Sequence, residues 1–135
     1  ADIVISEPDI ENLKRSKAAI YSATASLAKH LEFDLSEVSK IFIAGGFGSF
    51  LDIEKGIRIG LLPDLDRSRF FFIGNSALSG ARQVLLSEQA MAAANELASR
   101  ITYFELSADP GYMNEYTKAL FFPHTELEKF PSVKF

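Results

Sequence analysis

The stretch "IFIAGGFGSFLD" (residues 41–52) joins a short apolar run to three closely spaced glycines and then to an acidic residue. The apolar run predicts a β-strand, and Asp52 predicts the N-cap of a helix. Glycine permits positive φ and lets a ligand approach the backbone where another residue would place a Cβ atom. The stretch therefore admits two interpretations: a tight structural turn, or a turn whose bare backbone contacts a ligand.

A second turn of the same design follows in "FFIGNSALSGA" (residues 71–81), where an apolar run passes through Gly74 into a helix capped by Asn75. A helix N-terminus offers free N–H groups and a partial positive charge, which suit an anion. In open α/β sheets, ligands bind beyond the carboxyl ends of the strands. Neither G-x-G-x-x-G nor G-K-[ST] is present, so the Rossmann fingerprint and the P-loop are both excluded. The pair of turns resembles half of a nucleotide site, and the structural alternative stays open.

The remaining pattern predicts an α/β fold with a mainly parallel sheet and flanking helices in a single domain, residues 1–135. The predicted strands are residues 1–6, 40–44, 69–74 and 101–106, and the run at 69–74 is typical of a strand buried on both faces. Capping residues and helical spacing predict helices from Ser6 to about Leu31, after Asp52, after Asn75, from Ser87 to about Arg100, and over 110–121. The tail, residues 123–135, is predicted to be extended and to pack through Phe130.

Composition excludes several classes of protein. The chain has 135 residues, 47% of them apolar, and a net charge of −4, which argues against a nucleic-acid or anionic-membrane surface. It has no stretch of 18 apolar residues and no signal-peptide pattern, so we expect a cytoplasmic protein. It contains no cysteine, which excludes a thiol nucleophile or a Cys-ligated cluster within this chain. It also does not begin with Met, which favours a fragment or a processed product.

Other polar and aromatic residues have ordinary interpretations. His124 is expected at the surface or in a satisfied loop. Asp64 and Asp66 are expected in a solvated loop, paired with Arg67 or Arg69. Glu54 and Asp52 are expected to act in helix capping, with a water or metal contact as the alternative. "ALFF", ending at Phe121 and Phe122, is expected in the core or against the tail, and otherwise at an interface.

Four segments in this order, "DIENLKRSKAAIYSA", "IFIAGGFGSFLDIEKGIRIGLLPD", "FIGNSALSGAR" and "YFELSADPGYMNEYTKALFFPH", carry a specific resemblance that covers essentially the whole chain. The chain resembles the C-terminal part of the reductive activators of corrinoid proteins, a branch of the acetate kinase, heat-shock chaperone and actin superfamily. The resemblance implies one ribonuclease-H-like half of an actin-like ATPase domain, in which two halves close over ATP.

The resemblance also implies which residues bind the nucleotide. They are Gly45, Gly46, Phe47, Gly48, Asn75, Ser76 and Lys17. The Gly-Gly turn would hold the adenosine end, and the Asn75 turn would lie close to it. Lys17 would neighbour the base or ribose, and its alternative is a solvated lysine on a helix face. No catalytic residue and no metal ligand is carried over.

The family reaction that the resemblance implies is ATP-dependent return of a Co(II) corrinoid protein to Co(I). The superfamily's D-x-G-[ST] loops are missing here, as are cysteines. We therefore expect ATP or ADP with Mg²⁺ to be shared with a missing half, and a [2Fe–2S] cluster only in a missing N-terminal domain. The fragment alone is expected to be inactive. The expected partner is the corrinoid protein of a methyltransferase system, and a homodimer is left open.

Two alternatives accompany this interpretation. One is a non-catalytic protein-interaction domain whose glycine turns are purely structural and whose tail exposes an apolar patch. The other is an activator or kinase of the same superfamily that acts on another target, such as a radical dehydratase.

Overall fold

The computed structural model describes residues 3–46 and 48–134, apart from the side chain of Ser49. Its elements, in chain order, are α1 (Glu7–His30), β1 (Ile41–Ala44), α2 (Ile53–Arg58), β2 (Phe70–Gly74), α3 (Ser76–Leu86), α4 (Glu88–Arg100) and α5 (Tyr112–Ala119). Short 3₁₀ turns occupy Leu35–Glu37, Gly48–Phe50, Arg67–Arg69, Leu106–Ala108 and Leu127–Lys129. The α/β class predicted from the sequence is confirmed.

The chain divides into two compact units. The first comprises residues 1–39, 52–67 and 105–135, and the second comprises residues 40–51 and 68–104. In the first unit α1 packs along α5. The most deeply buried apolar side chains of that unit are Ala18, Tyr21, Ile57, Ala119 and Phe130. The single-domain organisation stays a prediction.

The first helix begins where its sequence signals predict. The carboxylate of Asp9 accepts hydrogen bonds from the Ser6 backbone N–H at 2.9 Å and from the Ser6 hydroxyl at 2.5 Å. Pro8 occupies the first turn, where its missing N–H donor costs nothing. The helix ends at His30, with Leu31 as its C-cap, so the predicted span is confirmed to within one residue.

The second unit contains a two-stranded parallel sheet. Ile41 pairs with Phe70, and the register then shifts so that Ala44 pairs with Gly74. The parallel arrangement is confirmed. The expectation that this apolar run is buried on both faces is wrong within this chain, because only Phe70 is buried while Phe71 and Phe72 are 40% and 46% exposed.

The strands predicted over residues 1–6 and 101–106 are also wrong. Residues 3–6 and 101–105 form no regular element, and Leu106 begins a 3₁₀ turn; residues 1 and 2 lie outside the described part. Apolar alternation shows that a segment could pack in a sheet, but a strand also needs a neighbour to pair with. Ile3 and Tyr103 are 98% and 80% exposed, so neither segment has found such a neighbour here.

The last helix is shorter than predicted, and the tail that follows contains one 3₁₀ turn where an extended chain was expected. The packing role of Phe130 is confirmed. Its side chain is 2% exposed, and its ring lies 5.4 Å from the ring of Tyr21, between centroids. The tail is thereby fixed to the face of α1.

Candidate functional site

The two glycine turns of the sequence lie side by side in the second unit. The backbone N–H of Gly45 donates to the carbonyl oxygen of Gly74 at 2.7 Å. Because β1 and β2 are parallel, both turns leave the same edge of the sheet, the edge at which α/β proteins bind ligands. Gly45 and Gly74 have φ values of +95° and +64°, which explains why glycine stands at both positions.

The glycines of the first turn differ in what they do. A Cβ atom at Gly48 would lie 2.7 Å from Cγ2 of Ile43, so Gly48 permits close packing. Gly46 has no left-handed φ, and a Cβ atom there would meet no atom within 4 Å. Neither the turn nor the packing of the described residues requires a glycine at this position. Gly46 instead leaves a stretch of exposed backbone without a side chain.

The second turn leads into α3 as predicted. The Asn75 side-chain oxygen accepts a hydrogen bond from the backbone N–H of Leu78 at 3.0 Å, which confirms the N-cap. Ser76 is the first residue of α3 and is exposed. The first turn of this helix therefore presents backbone donors and a partial positive charge at the same sheet edge as Gly46. Together the two turns could hold a planar polar group and part of an anionic one.

The remaining two predicted binding residues are Phe47 and Lys17. Phe47 lies outside the described residues. Lys17 belongs to the first unit, where its side chain is buried and donates to the carbonyl oxygens of Phe121 and, at 2.7 Å, Pro123. Burial lowers the pKa of Lys17 to about 8. The solvated-lysine interpretation is wrong, and a role beside the base or ribose stays a prediction.

The acidic residues near α2 have structural partners. Asp52 caps the helix by accepting the N–H of Lys55 at 3.1 Å, and this bond lowers the pKa of Asp52. Glu54 receives two hydrogen bonds from Arg67, at 2.7 and 2.8 Å. Arg67 also donates to Asp64 at 2.9 Å. The pairing of Asp64 with Arg67 is confirmed, whereas no local sequence signal indicates the longer-range pair with Glu54.

His124 is 2% exposed, so the surface interpretation is wrong. Its Nδ1 atom accepts the backbone N–H of Glu126 at 3.0 Å. Nε2 lies 3.3 Å from Oε1 of Glu115, but at angles unsuited to a hydrogen bond. Burial lowers the pKa of His124, with Lys129 acting in the same direction. Sequence reasoning missed this buried polar cluster because its members are spread over two elements.

No group of three or more His, Asp or Glu side chains is placed to hold a metal ion among residues 3–46 and 48–134. None of the helices within those ranges is long and apolar enough to cross a membrane.

Comparison with known proteins defines first the class and then the family. A family model described as "C-terminal domain of RACo the ASKHA domain" matches residues 1–134, which places the fold in the ASKHA class. A solved structure titled "Reductive activator for corrinoid,iron-sulfur protein" aligns over 98% of this chain with a TM-score of 0.92 and 48% sequence identity. The chain belongs to the family of C-terminal ASKHA domains of RACo.

Two curated relatives agree with this assignment. The chain is 34% identical over 115 residues to the "Corrinoid activation enzyme RamQ" of Eubacterium limosum, a match that covers 85% of this chain. It is 27% identical over 100 residues, 74% of its length, to the "[Co(II) methylated amine-specific corrinoid protein] reductase" of Methanosarcina barkeri. The chain spans only 19% and 18% of these relatives and 21% of the solved structure.

Proposed function

We propose that this chain is the nucleotide-binding C-terminal part of an ATP-dependent reductive activator, which returns the Co(II) form of a corrinoid protein to Co(I). The relatives are a corrinoid activation enzyme and a Co(II) corrinoid protein reductase, and the aligned structure is a reductive activator. These names support the substrate class. The partner in this proposal is the corrinoid protein of a methyltransferase system.

The observation that carries the nucleotide part of the proposal is the convergence of the two glycine turns. The bond from Gly45 to Gly74 holds both turns at one edge of the sheet, and Gly46 leaves bare backbone there. The adenosine end of ATP or ADP would lie against this backbone. The N-terminus of α3, at Asn75 and Ser76, would face the polar end of the ligand.

The remaining parts of the reaction fall to other segments in this proposal. The chain has no cysteine, so the [2Fe–2S] cluster that donates the electron belongs to an N-terminal domain. Mg²⁺ and the phosphates would be bound mainly by the other half of the ATPase domain. Electron transfer to Co(II) is uphill, and the difference in ATP affinity between two conformations is what can shift such an equilibrium.

Replacing Gly46 by Val tests the site. The added side chain meets no atom of the described chain, so the fold should persist while the isopropyl group occupies the space of the nucleotide. We expect ADP affinity of the full-length protein, measured by isothermal titration calorimetry, to fall at least about 100-fold, roughly the cost of a lost well-packed contact. ATP-dependent Co(II) reduction should fall in parallel.

Gly80→Val is the matched control, because Gly80 also lacks a left-handed φ and a Cβ atom there meets nothing within 4 Å. It lies inside α3, one helical turn after Ser76. ADP affinity should survive this change. Equal affinity in the Gly46→Val protein and the unmodified protein would remove the turn from the nucleotide site.

A further inference from the structure

A cavity of about 560 Å³ opens in the first unit, and the proposed nucleotide site does not use it. The C-terminal half of α1 forms one wall, through Tyr21, Ala25 and Ala28. The segment after α1, the loop around Pro63 and the tail form the others. The volume lies within the range of pockets that hold small organic molecules.

The floor of the cavity is apolar. Tyr21, Ala28 and Leu65 are buried residues that line it. Two alanines on one helix face leave space that larger side chains would occupy. Ala25 is half-buried, so its methyl group borders the open volume. The floor suits an aromatic ring or a branched aliphatic group.

Most of the charged groups at the rim already have partners. The Asp64 carboxylate accepts the N–H and hydroxyl of Ser132, at 2.7 and 2.6 Å, besides its bond from Arg67. Asp34 accepts the N–H of Ser36 at 2.7 Å. The Lys129 ammonium contacts the carboxylates of Glu115, at 2.7 Å, and Glu126, at 2.8 Å. These groups are therefore committed to the fold.

Two charged side chains of the rim remain to be considered, the cation Lys29 and the anion Glu128. Within the described ranges, the Lys29 ammonium and the Glu128 carboxylate form no hydrogen bond or ion pair with each other or with any other group. Both are exposed residues that line the cavity. A ligand could therefore meet an apolar floor together with the Lys29 ammonium and the Glu128 carboxylate.

We propose that this cavity binds a small zwitterion with an apolar side chain, that is, an apolar α-amino acid. Its side chain lies on the alanine floor of α1, its carboxylate faces Lys29 and its ammonium faces Glu128. The proposal does not depend on the nucleotide site, since every residue that lines the cavity lies in the first unit.

Three ligands of similar shape separate the contributions of the ammonium and carboxylate groups to binding. They are L-phenylalanine, 3-phenylpropanoate, which lacks the ammonium group, and phenethylamine, which lacks the carboxylate. Binding to the full-length protein is measured by isothermal titration calorimetry. For molecules of this size we expect a dissociation constant on the order of 1 mM for phenylalanine. Each truncated ligand should bind about threefold to fivefold more weakly, as exposed ion pairs contribute little.

Variants locate the site. Ala25→Leu fills the floor and should weaken phenylalanine binding at least about tenfold, whereas Ala23→Leu, on the same helix but outside the lining, should not. Lys29→Gln should abolish the preference for phenylalanine over phenethylamine, and Glu128→Gln the preference over phenylpropanoate. These two surface changes keep the test valid if Ala25→Leu impairs folding.

Three results would overturn the proposal. The first is no saturable phenylalanine binding up to about 20 mM, beyond the weakest affinity expected of such a ligand. The second is equal phenylalanine affinity in the Ala25→Leu and Ala23→Leu proteins. The third is equal affinity of the unmodified protein for all three ligands, which would show that the rim charges do not recognise a zwitterion.

Discussion

Lys17 is a buried charged residue with a structural role. Its ammonium group donates to the carbonyls of Phe121 and Pro123 and lies 5.3 Å from the centroid of the Phe122 ring. The Pro123 carbonyl is enclosed from the other side by Gly60, where a Cβ atom would lie 2.0 Å from its oxygen. The lysine therefore satisfies the buried carbonyl of Pro123 and the part-buried carbonyl of Phe121, and so connects α1 to the segment after α5.

Lys17→Met should loosen the tail without removing the apolar stem that fills the same space. The two carbonyls would lose their donor, and we expect a net loss of about 2 kcal/mol after the gain from removing a buried charge. Hydrogen-exchange mass spectrometry of the full-length protein would report this as a roughly 30-fold loss of protection over residues 118–130.

Lys14→Met is the matched control for that change. Lys14 lies on the same helix and pairs with Glu11 on the surface at 2.7 Å, so we expect a change within about 0.5 kcal/mol. If Lys14→Met and Lys17→Met altered tail protection equally, the buried contacts of Lys17 would not stabilise the tail.

At the scale of elements, the sequence predicted those parts whose signals are local. The start of α1, and the caps Asp52, Asn75 and Ser87, are each fixed by a side chain bonding to a backbone N–H within a turn. These interactions depend on spacing alone, so sequence is enough to find them.

Features that depend on contacts between residues far apart in the chain could not be predicted, because spacing alone does not indicate them. The segments 3–6 and 101–106 had suitable apolar patterns but form no strand in the described part of the chain. Lys17 was assigned a solvent or ligand environment because its two acceptors lie 104 and 106 residues away. The placement of both glycine turns at one edge of the sheet was predictable, since parallel strands end at one edge, but the pairing of the two strands and the bond from Gly45 to Gly74 were not.

The tail contains polar contacts whose stability should depend on pH. Glu126 contacts Lys118 and, at 2.8 Å, Lys129, and these bonds lower the pKa of Glu126 to about 2. His124 is buried next to Glu115 with a lowered pKa. For both groups the folded state binds protons less readily than the unfolded state, so each contributes stability that is fully present above its unfolded pKa and is lost on acidification.

The stability of the folded tail is expected to fall in two pH ranges. The loss begins as the pH falls through 6.5, the ordinary pKa of histidine, and continues from 4.5 towards 2 as Glu126 is protonated. Hydrogen exchange over residues 120–134, corrected for the intrinsic pH dependence of exchange, measures it. His124→Gln should remove the loss in the first range, whereas His30→Gln on the exposed end of α1 should leave it. Tail protection that stays constant from pH 7.5 to 5 would contradict this role of His124.

At the scale of the whole molecule, the two units differ in how well they are covered. The first unit contains a core with several side chains under 5% exposed, whereas no described residue of α3 or α4 is buried. Leu85 and Leu97 are 84% and 62% exposed. The chain also spans only about a fifth of the structure it aligns with, 21%. The glycine turns therefore lie in the unit whose helices are the more exposed.

The proposal consequently predicts weak nucleotide binding by this chain alone. Half a cleft contacts the adenosine end but leaves the phosphates in water, so ADP should bind at least about tenfold more weakly than to the full-length protein. A titration of the ¹⁵N-labelled chain with ADP and ATP, followed by amide chemical shifts, tests this. Shifts confined to residues 45–48 and 75–77 would mean that the bare backbone of Gly46 faces a nucleotide. Shifts that persist unchanged in the Gly46→Val chain would contradict the assignment, because a ligand at that turn cannot share its space with the valine side chain.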